Sequence, residues 1–231
     1  VEIKQPDLFA GLFPEIEKEE AGDISRGEPV LPFLEGVRLE EAYPHIDDLD
    51  ELKKTALSCQ SCRLRAGCKQ VVFGEGPSKS RIMFVGEGPG GDEDEQGRPF
   101  VGRAGQLLDK ILKAAEIPRE QAYITNVVKC RPPGNRLPNP DEVNSCKGYL
   151  EAQIRIIKPD IIVCLGSLAS QVIISPKARI TQIRGKWFTR QGIMIMPTFH
   201  PAALLRNESY KRPCWEDFKM IRDQFKKIKE G

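Results

Sequence analysis

Four of the seven cysteines have ligand-like spacing: Cys59-x2-Cys62 and, far downstream, Cys130-x15-Cys146. Four thiolates suit tetrahedral zinc or an iron–sulfur cluster, and the softness of sulfur does not separate these. Cys68, six residues beyond Cys62, competes with it as a ligand, whereas Cys164 lies inside an apolar run and reads as core. Cys214 stands near the start of the last helix. A cytoplasmic chain with this many cysteines points to metal or redox chemistry rather than to a disulfide frame. A second set is polar: Glu87, then Asn126 and Asn135, then His200, one of only two histidines. Each follows or ends an apolar run of strand character. A lone histidine is more often structural than catalytic, but His200 sits at a strand exit, directly before Pro201.

Between these sets lies the stretch RIMFVGEGPGGDEDEQGRPFVGRAGQLLDKIL, residues 81–112. Gly86, Gly88 and Gly91 match G-x-G-x-x-G, the dinucleotide fingerprint. That fingerprint needs a helix N-terminus straight after the last glycine to hold pyrophosphate. Asp92, Glu93, Asp94 and Glu95 follow instead, and four acids repel a phosphate. The reading is therefore an acidic, glycine-rich loop from Gly86 to Gly97, with Phe100 leading into an amphipathic helix from about Gly102 to Ala115.

These residues need elements to position them. Residues 81–85, 123–128, 160–165, 183–189 and 193–198 read as strands, the third fully apolar as in a parallel strand covered on both faces. Helices are expected from Asp47 or Asp48 to Ser58, from Pro140 to Lys158, from Ser167 to Ile174 and from Cys214 to Lys229. Alternating strands and helices predict a three-layer α/β/α sandwich with a mainly parallel central sheet. Ligands in such a sheet bind beyond the carboxyl ends of its strands, where Glu87, Asn126 and His200 fall.

The net charge of +2 hides an asymmetry: residues 1–50 hold 14 acids and 4 bases, and the remainder 19 acids and 31 bases. A basic body suits a polyanionic partner. Residues 1–46, with five prolines and many glutamates, read as a flexible extension that buries too little apolar surface to order itself. A globular domain is expected over 47–231. No run of about 18 apolar residues and no basic-then-apolar N-terminus is present, so a soluble, cytoplasmic protein is expected. Nothing demands more than a monomer.

The segments GEGPGGDEDEQGRPFVGRAG, ITNVVKCRP, IIVCLG and FHPAALLRN, in this order and with the spaced cysteines, resemble the family 4 uracil-DNA glycosylases, the iron–sulfur type. The resemblance covers roughly residues 55–230. It implies a four-stranded parallel sheet between helices and a structural [4Fe–4S] cluster on Cys59, Cys62, Cys130 and Cys146. It also implies hydrolysis of the N-glycosidic bond of deoxyuridine in single- or double-stranded DNA, leaving an abasic site for base-excision repair. No lysine nucleophile is apparent, so a monofunctional enzyme is expected. A relative that attaches covalently to the abasic sugar carries a basic insertion ending in His near position 135, and Asn135 stands there instead. A module that merely holds DNA through its basic surface is the remaining alternative.

The chemistry that the resemblance implies assigns roles residue by residue. A base in a duplex must be flipped out to be cut. Phe100 is the stacking platform and Asn126 reads the uracil edge, its amide offering both donor and acceptor. His200 donates to O2 of the departing anion, with the Gly88 N–H assisting. The best-known uracil glycosylases carry Gly-Gln-Asp-Pro-Tyr, and here Gly88 and Gly90 replace the water-positioning Asp and the methyl-excluding Tyr. Glu87 is therefore read as a pocket organiser, Glu93 as a methyl blocker and Asn135 as a water positioner. Leu204, Leu205 and Arg206 form a wedge for the gap in the duplex. Lys79, Arg98, Arg103, Lys129, Arg131 and Arg206 are candidate phosphate contacts. Outside the resemblance, Gln5-Pro6-Asp7-Leu8-Phe9 is similar to the pentapeptide by which bacterial DNA-processing enzymes dock on the sliding clamp, with Gln5, Leu8 and Phe9 as anchors.

Overall fold

The computed structural model describes residues 43–230. The clamp-like pentapeptide and nearly all of the acidic extension lie outside these residues. Five strands form one sheet: β1 (Ile82–Gly86), β2 (Ala122–Asn126), β3 (Ile161–Leu165), β4 (Phe188–Arg190) and β5 (Ile193–Thr198). Their order is β2-β1-β3-β5-β4. The first four in that order run parallel, and β4 pairs antiparallel with β5 at the edge. The four-stranded parallel expectation thus describes the inner sheet, and a short hairpin across Gln191-Gly192 adds a fifth strand.

Period-two alternation sorts the strand residues onto two faces. Met83, Val85, Ile162 and Cys164 face a layer built from α1 (Leu49–Leu57), α5 (Pro140–Ile157) and α6 (Ser167–Ile173). Ile82, Phe84, Ile161, Val163 and Leu165 face the other layer, with α4 (Arg103–Ala114), α8 (Pro201–Arg206) and α9 (Lys211–Glu230). Burial on both faces explains why β1 and β3 read as continuous apolar runs. The three-layer α/β/α architecture is as expected. Among the described residues no helix is long and apolar enough to cross a membrane.

Three local departures matter. The acidic run is not a loop: Gly91–Gln96 is a short helix, α3, with Gly90 as N-cap and Gly97 in the left-handed conformation at its end. Its acids occupy the first turn, where the helix dipole favours negative charge. A second short helix, α2 (Leu64–Gly67), follows Cys62. Ile183, expected to open the fourth strand, instead closes the short helix α7 (Ile180–Ile183), and a turn through Gly185 follows, leaving three residues for β4.

Strand register does the positioning. Gly86 lies opposite Asn126, and Leu165 opposite Thr198. Glu87, Asn126, Gly166 and the Phe199-His200 pair therefore emerge along one edge of the sheet.

Candidate active site

A cavity of about 520 Å³ opens at that edge. Glu87, Gly88, Glu93, Phe100, Asn126, Asn135, His200 and Arg206 all line it. The proposed wedge splits differently. Leu204 is buried in the core between α4 and α9, whereas Leu205 is 43 % exposed. Leu204 therefore anchors α8 and is withdrawn as a wedge residue, because helical phase turns only one of two adjacent leucines outward.

Phe100 is buried, with its ring centroid 5.6 Å from that of His200 and the planes inclined by 32°. Its φ of +53° is a conformation that an aromatic residue rarely adopts, costing on the order of 1–3 kcal/mol. Glu93 offsets this strain. One carboxylate oxygen accepts from the N–H groups of Val101 and Gly102, both at 2.9 Å, and the other accepts from Gly90 at 3.1 Å. Glu93 lines the cavity as expected, but its carboxylate is committed to backbone, so its place is that of a clamp on the Phe100 loop. Below the ring lies Gly86. A Cβ there would come within 2.4 Å of Asn126 Oδ1 and 2.6 Å of Phe100 Cζ. Only glycine lets the ring and the amide converge.

Asn126 is 1 % exposed, and its Oδ1 has no hydrogen-bond partner. An unsatisfied buried acceptor costs about 1–3 kcal/mol, and the residue that carries this one is part of the cavity wall. The backbone of the same residue is fixed: Lys129 Nζ donates to its carbonyl, to Thr125 Oγ1 and to Gln153 Oε1, each at 2.7 Å. Lys129 is therefore a core residue and is withdrawn as a phosphate contact. Arg98 is likewise engaged by Glu75, at 2.8 and 2.9 Å.

His200 caps α8, its Nδ1 accepting from the Ala202 N–H at 3.1 Å. An accepting Nδ1 places the proton of the neutral ring on Nε2. Burial, aided by the nearby Arg206, lowers the imidazole to about 4, so the ring is neutral at pH 7 and Nε2–H is its one donor. Glu87 is held above the ordinary carboxyl range by burial, with the Leu168 N–H and Arg206 opposing. Gly166, at φ +94°, makes room for both. A Cβ there would stand 3.0 Å from Glu87 Oε1 and 3.0 Å from His200 Cβ. Asn135, at φ +56°, accepts at Oδ1 from Arg131 Nε at 2.8 Å. Arg131 in turn lies 4.0 Å from the buried Asp94, which accepts from the N–H groups of Lys69 and Gln70. The Asp94–Arg131 support escaped the sequence reading, because one acid among four gives no sign that it is the buried one.

The cysteines converge elsewhere. Cys59, Cys62, Cys130 and Cys146 line one small cavity walled by Leu64, Val71, Val128 and Tyr149. Among the described residues no three His, Cys, Asp or Glu side chains stand close enough to hold a single metal ion. Four thiol donors around one cavity are the donor set of an iron–sulfur cluster or of a tetrahedral soft-metal site. Burial holds the Cys130 and Cys146 thiols above their ordinary range, and such thiols become thiolates only with compensating positive charge. Cys68 is not among the residues that line this cavity, but its thiol is hydrogen-bonded to that of Cys130. It donates to the Arg65 carbonyl and accepts from the Arg65 guanidinium, both at 3.7 Å.

A family model described as "Uracil DNA glycosylase superfamily" matches residues 73–219. The chain belongs to that superfamily. It is 46 % identical over 187 residues to a "Type-4 uracil-DNA glycosylase" of Sulfurisphaera tokodaii, covering 77 % of this chain and 85 % of that protein. A Type-4 protein of Thermotoga maritima is 45 % identical over 191 residues, covering 80 % and 98 %. A "Type-5 uracil-DNA glycosylase" of Pyrobaculum aerophilum is 31 % identical over 148 residues, covering 56 % and 64 %. The uracil DNA glycosylase match contains the whole cavity lining but begins after Cys59 and Cys62.

Proposed function

We propose that the chain is a monofunctional uracil-DNA glycosylase that flips deoxyuridine out of DNA and hydrolyses its N-glycosidic bond. The observation that carries this reading is the unpartnered, buried Asn126 Oδ1 beside the Phe100 ring. An extruded uracil lying on Phe100 presents N3–H to that oxygen and O4 to the amide N–H. Cytosine has no N3 proton and reverses the pattern at position 4, leaving the acceptor orphaned, and such mismatches discriminate strongly. As the C1′–N1 bond lengthens, negative charge gathers on uracil. His200 Nε2–H, with the Gly88 N–H, stabilises it at O2. A neutral donor suits this role, since it transfers no proton in the ground state. Asn135, braced by Arg131, orients the water that adds to C1′, and Glu87 organises the pocket. We assign Glu93 to holding Phe100 rather than to meeting thymine's methyl group, because its carboxylate already accepts three N–H bonds.

We further assign Cys59, Cys62, Cys130 and Cys146 to a [4Fe–4S] cluster with a structural role. It would join the 59–68 segment to the 130–146 loop, which Arg63 already ties through Asp141 at 2.7 Å and Glu142 at 3.3 Å. For the N-terminal island, Gln5, Leu8 and Phe9 are read as a clamp contact, and a peptide of residues 1–13 that fails to bind a bacterial sliding clamp would remove it. The glycosylase test is a uracil-containing oligonucleotide incubated with the protein, with and without alkali. Cleavage only after alkali is expected. A strand left uncut after alkali would refute the reading in favour of a DNA-holding module.

A further inference from the structure

Beside the proposed uracil cavity lies a second one of about 860 Å³, within the range of roughly 300–1,000 Å³ typical of ligand sites. The two share Glu87, Asn135, Pro138, Ser167 and Arg206 as a common wall. The second is floored by Val143, Leu168 and Val172, and Lys147 stands on its border. At its lip is Leu137, 63 % exposed. Of the two acids that line this cavity, Glu151 is paired with Arg190 at 3.1 Å, and Glu87, on the shared wall, faces the charge of Arg206.

We infer that this second cavity is a subsite for the nucleotide adjacent to the deoxyuridine on the same strand, occupied when that strand is single. The inference rests on the uracil-glycosylase reading. Because the two cavities share a wall, a strand whose uracil fills the first can lay its next nucleotide, one phosphodiester link away, into the second. The chemistry matches both parts of that nucleotide. Arg206 and Lys147 suit its phosphate. Leu137 and the aliphatic floor suit the face of an unstacked base, a contact that tolerates any sequence. In a duplex the neighbouring base stays paired and stacked, so the subsite stays vacant.

The test compares single-stranded oligonucleotides carrying one deoxyuridine, with the adjacent position on either side intact or abasic. For wild type, an abasic neighbour on one side raises KM about 10-fold with kcat little changed. Leu137→Ala, at an exposed position, and Asn144→Trp, which fills the cavity, each raise KM by about 5–10-fold on the intact strand and add nothing on the abasic one, the coupling expected of a direct contact. On a U:G duplex both variants match wild type. Indifference of wild type to either neighbour, or equal variant effects on intact and abasic strands, would overturn the subsite while leaving the glycosylase. Absence of uracil release from every substrate would overturn both.

Discussion

The Nζ of Lys129 donates at 2.7 Å to the backbone carbonyl oxygen of Asn126, so the residue before Cys130 is bonded to a residue of the cavity wall. The Lys129 N–H also donates to Cys146 Sγ at 3.3 Å. One buried residue thus joins the cysteine cavity to the putting-in-place of the reading amide. Lys129→Met would leave the Asn126 carbonyl and Gln153 Oε1 short of a donor, and a loss of at least about 2 kcal/mol is expected. Denaturant unfolding checks it. A variant as stable as wild type would show that water or rearrangement replaces the ammonium.

Asn126→Ala separates function from stability. The unpartnered Oδ1 costs free energy in the unliganded protein, so its removal should leave Tm unchanged or raised despite a small cavity. Loss of the two edge contacts should lower kcat/KM on a uracil oligonucleotide by about 10²-fold or more. A marked fall in Tm would mean that the amide serves the fold.

His200→Ala should lower kcat by about 10²–10³-fold, as for loss of a donor to a developing anion. Its titration has a defined sign. Burial lowers the folded imidazole to about 4, below the ordinary value near 6.5. The stability it contributes is therefore complete above about pH 6.5 and is lost as pH falls towards 4. NMR titration should show His200 neutral at pH 6. A midpoint near 6.5 would refute a buried, neutral ring.

Glu93→Ala removes the acceptor for three N–H groups without touching the Phe100 ring. Amide exchange at Val101 and Gly102 should accelerate by at least about 10-fold, an opening free energy lower by about 1.4 kcal/mol. KM should rise as the platform loosens. Unchanged exchange at both amides would contradict the clamp.

Cys62→Ser and Cys146→Ala should each abolish broad visible absorbance, a colour that zinc with its filled d shell cannot give. Tm should fall with it. A colourless, zinc-loaded and active wild-type preparation would refute the cluster assignment and spare the catalytic one.

Much of this was legible in the chain, for reasons that differ by element. The strands β1 and β3 and the helices α4 and α5 carry long uniform signals, and Glu87, Asn126 and His200 follow from where strands end. The helix α3 was hidden, because charge suggested solvent while the capping by Gly90 and Glu93 and the burial of Asp94 are tertiary facts. Ile180–Ile183 carries β-branched residues yet closes as one helical turn before Gly185. Lys129 reads as surface charge in any local window. Its burial is set by Thr125 and Gln153, the latter 24 residues away.

The six residues of α8 carry His200 at their head, Leu204 locked into the interior and Leu205 turned outward. On the proposed reading, the tool that pries a strand apart and the tool that steadies the departing base are forged as one piece. A change in the tilt of this one short helix would shift both together.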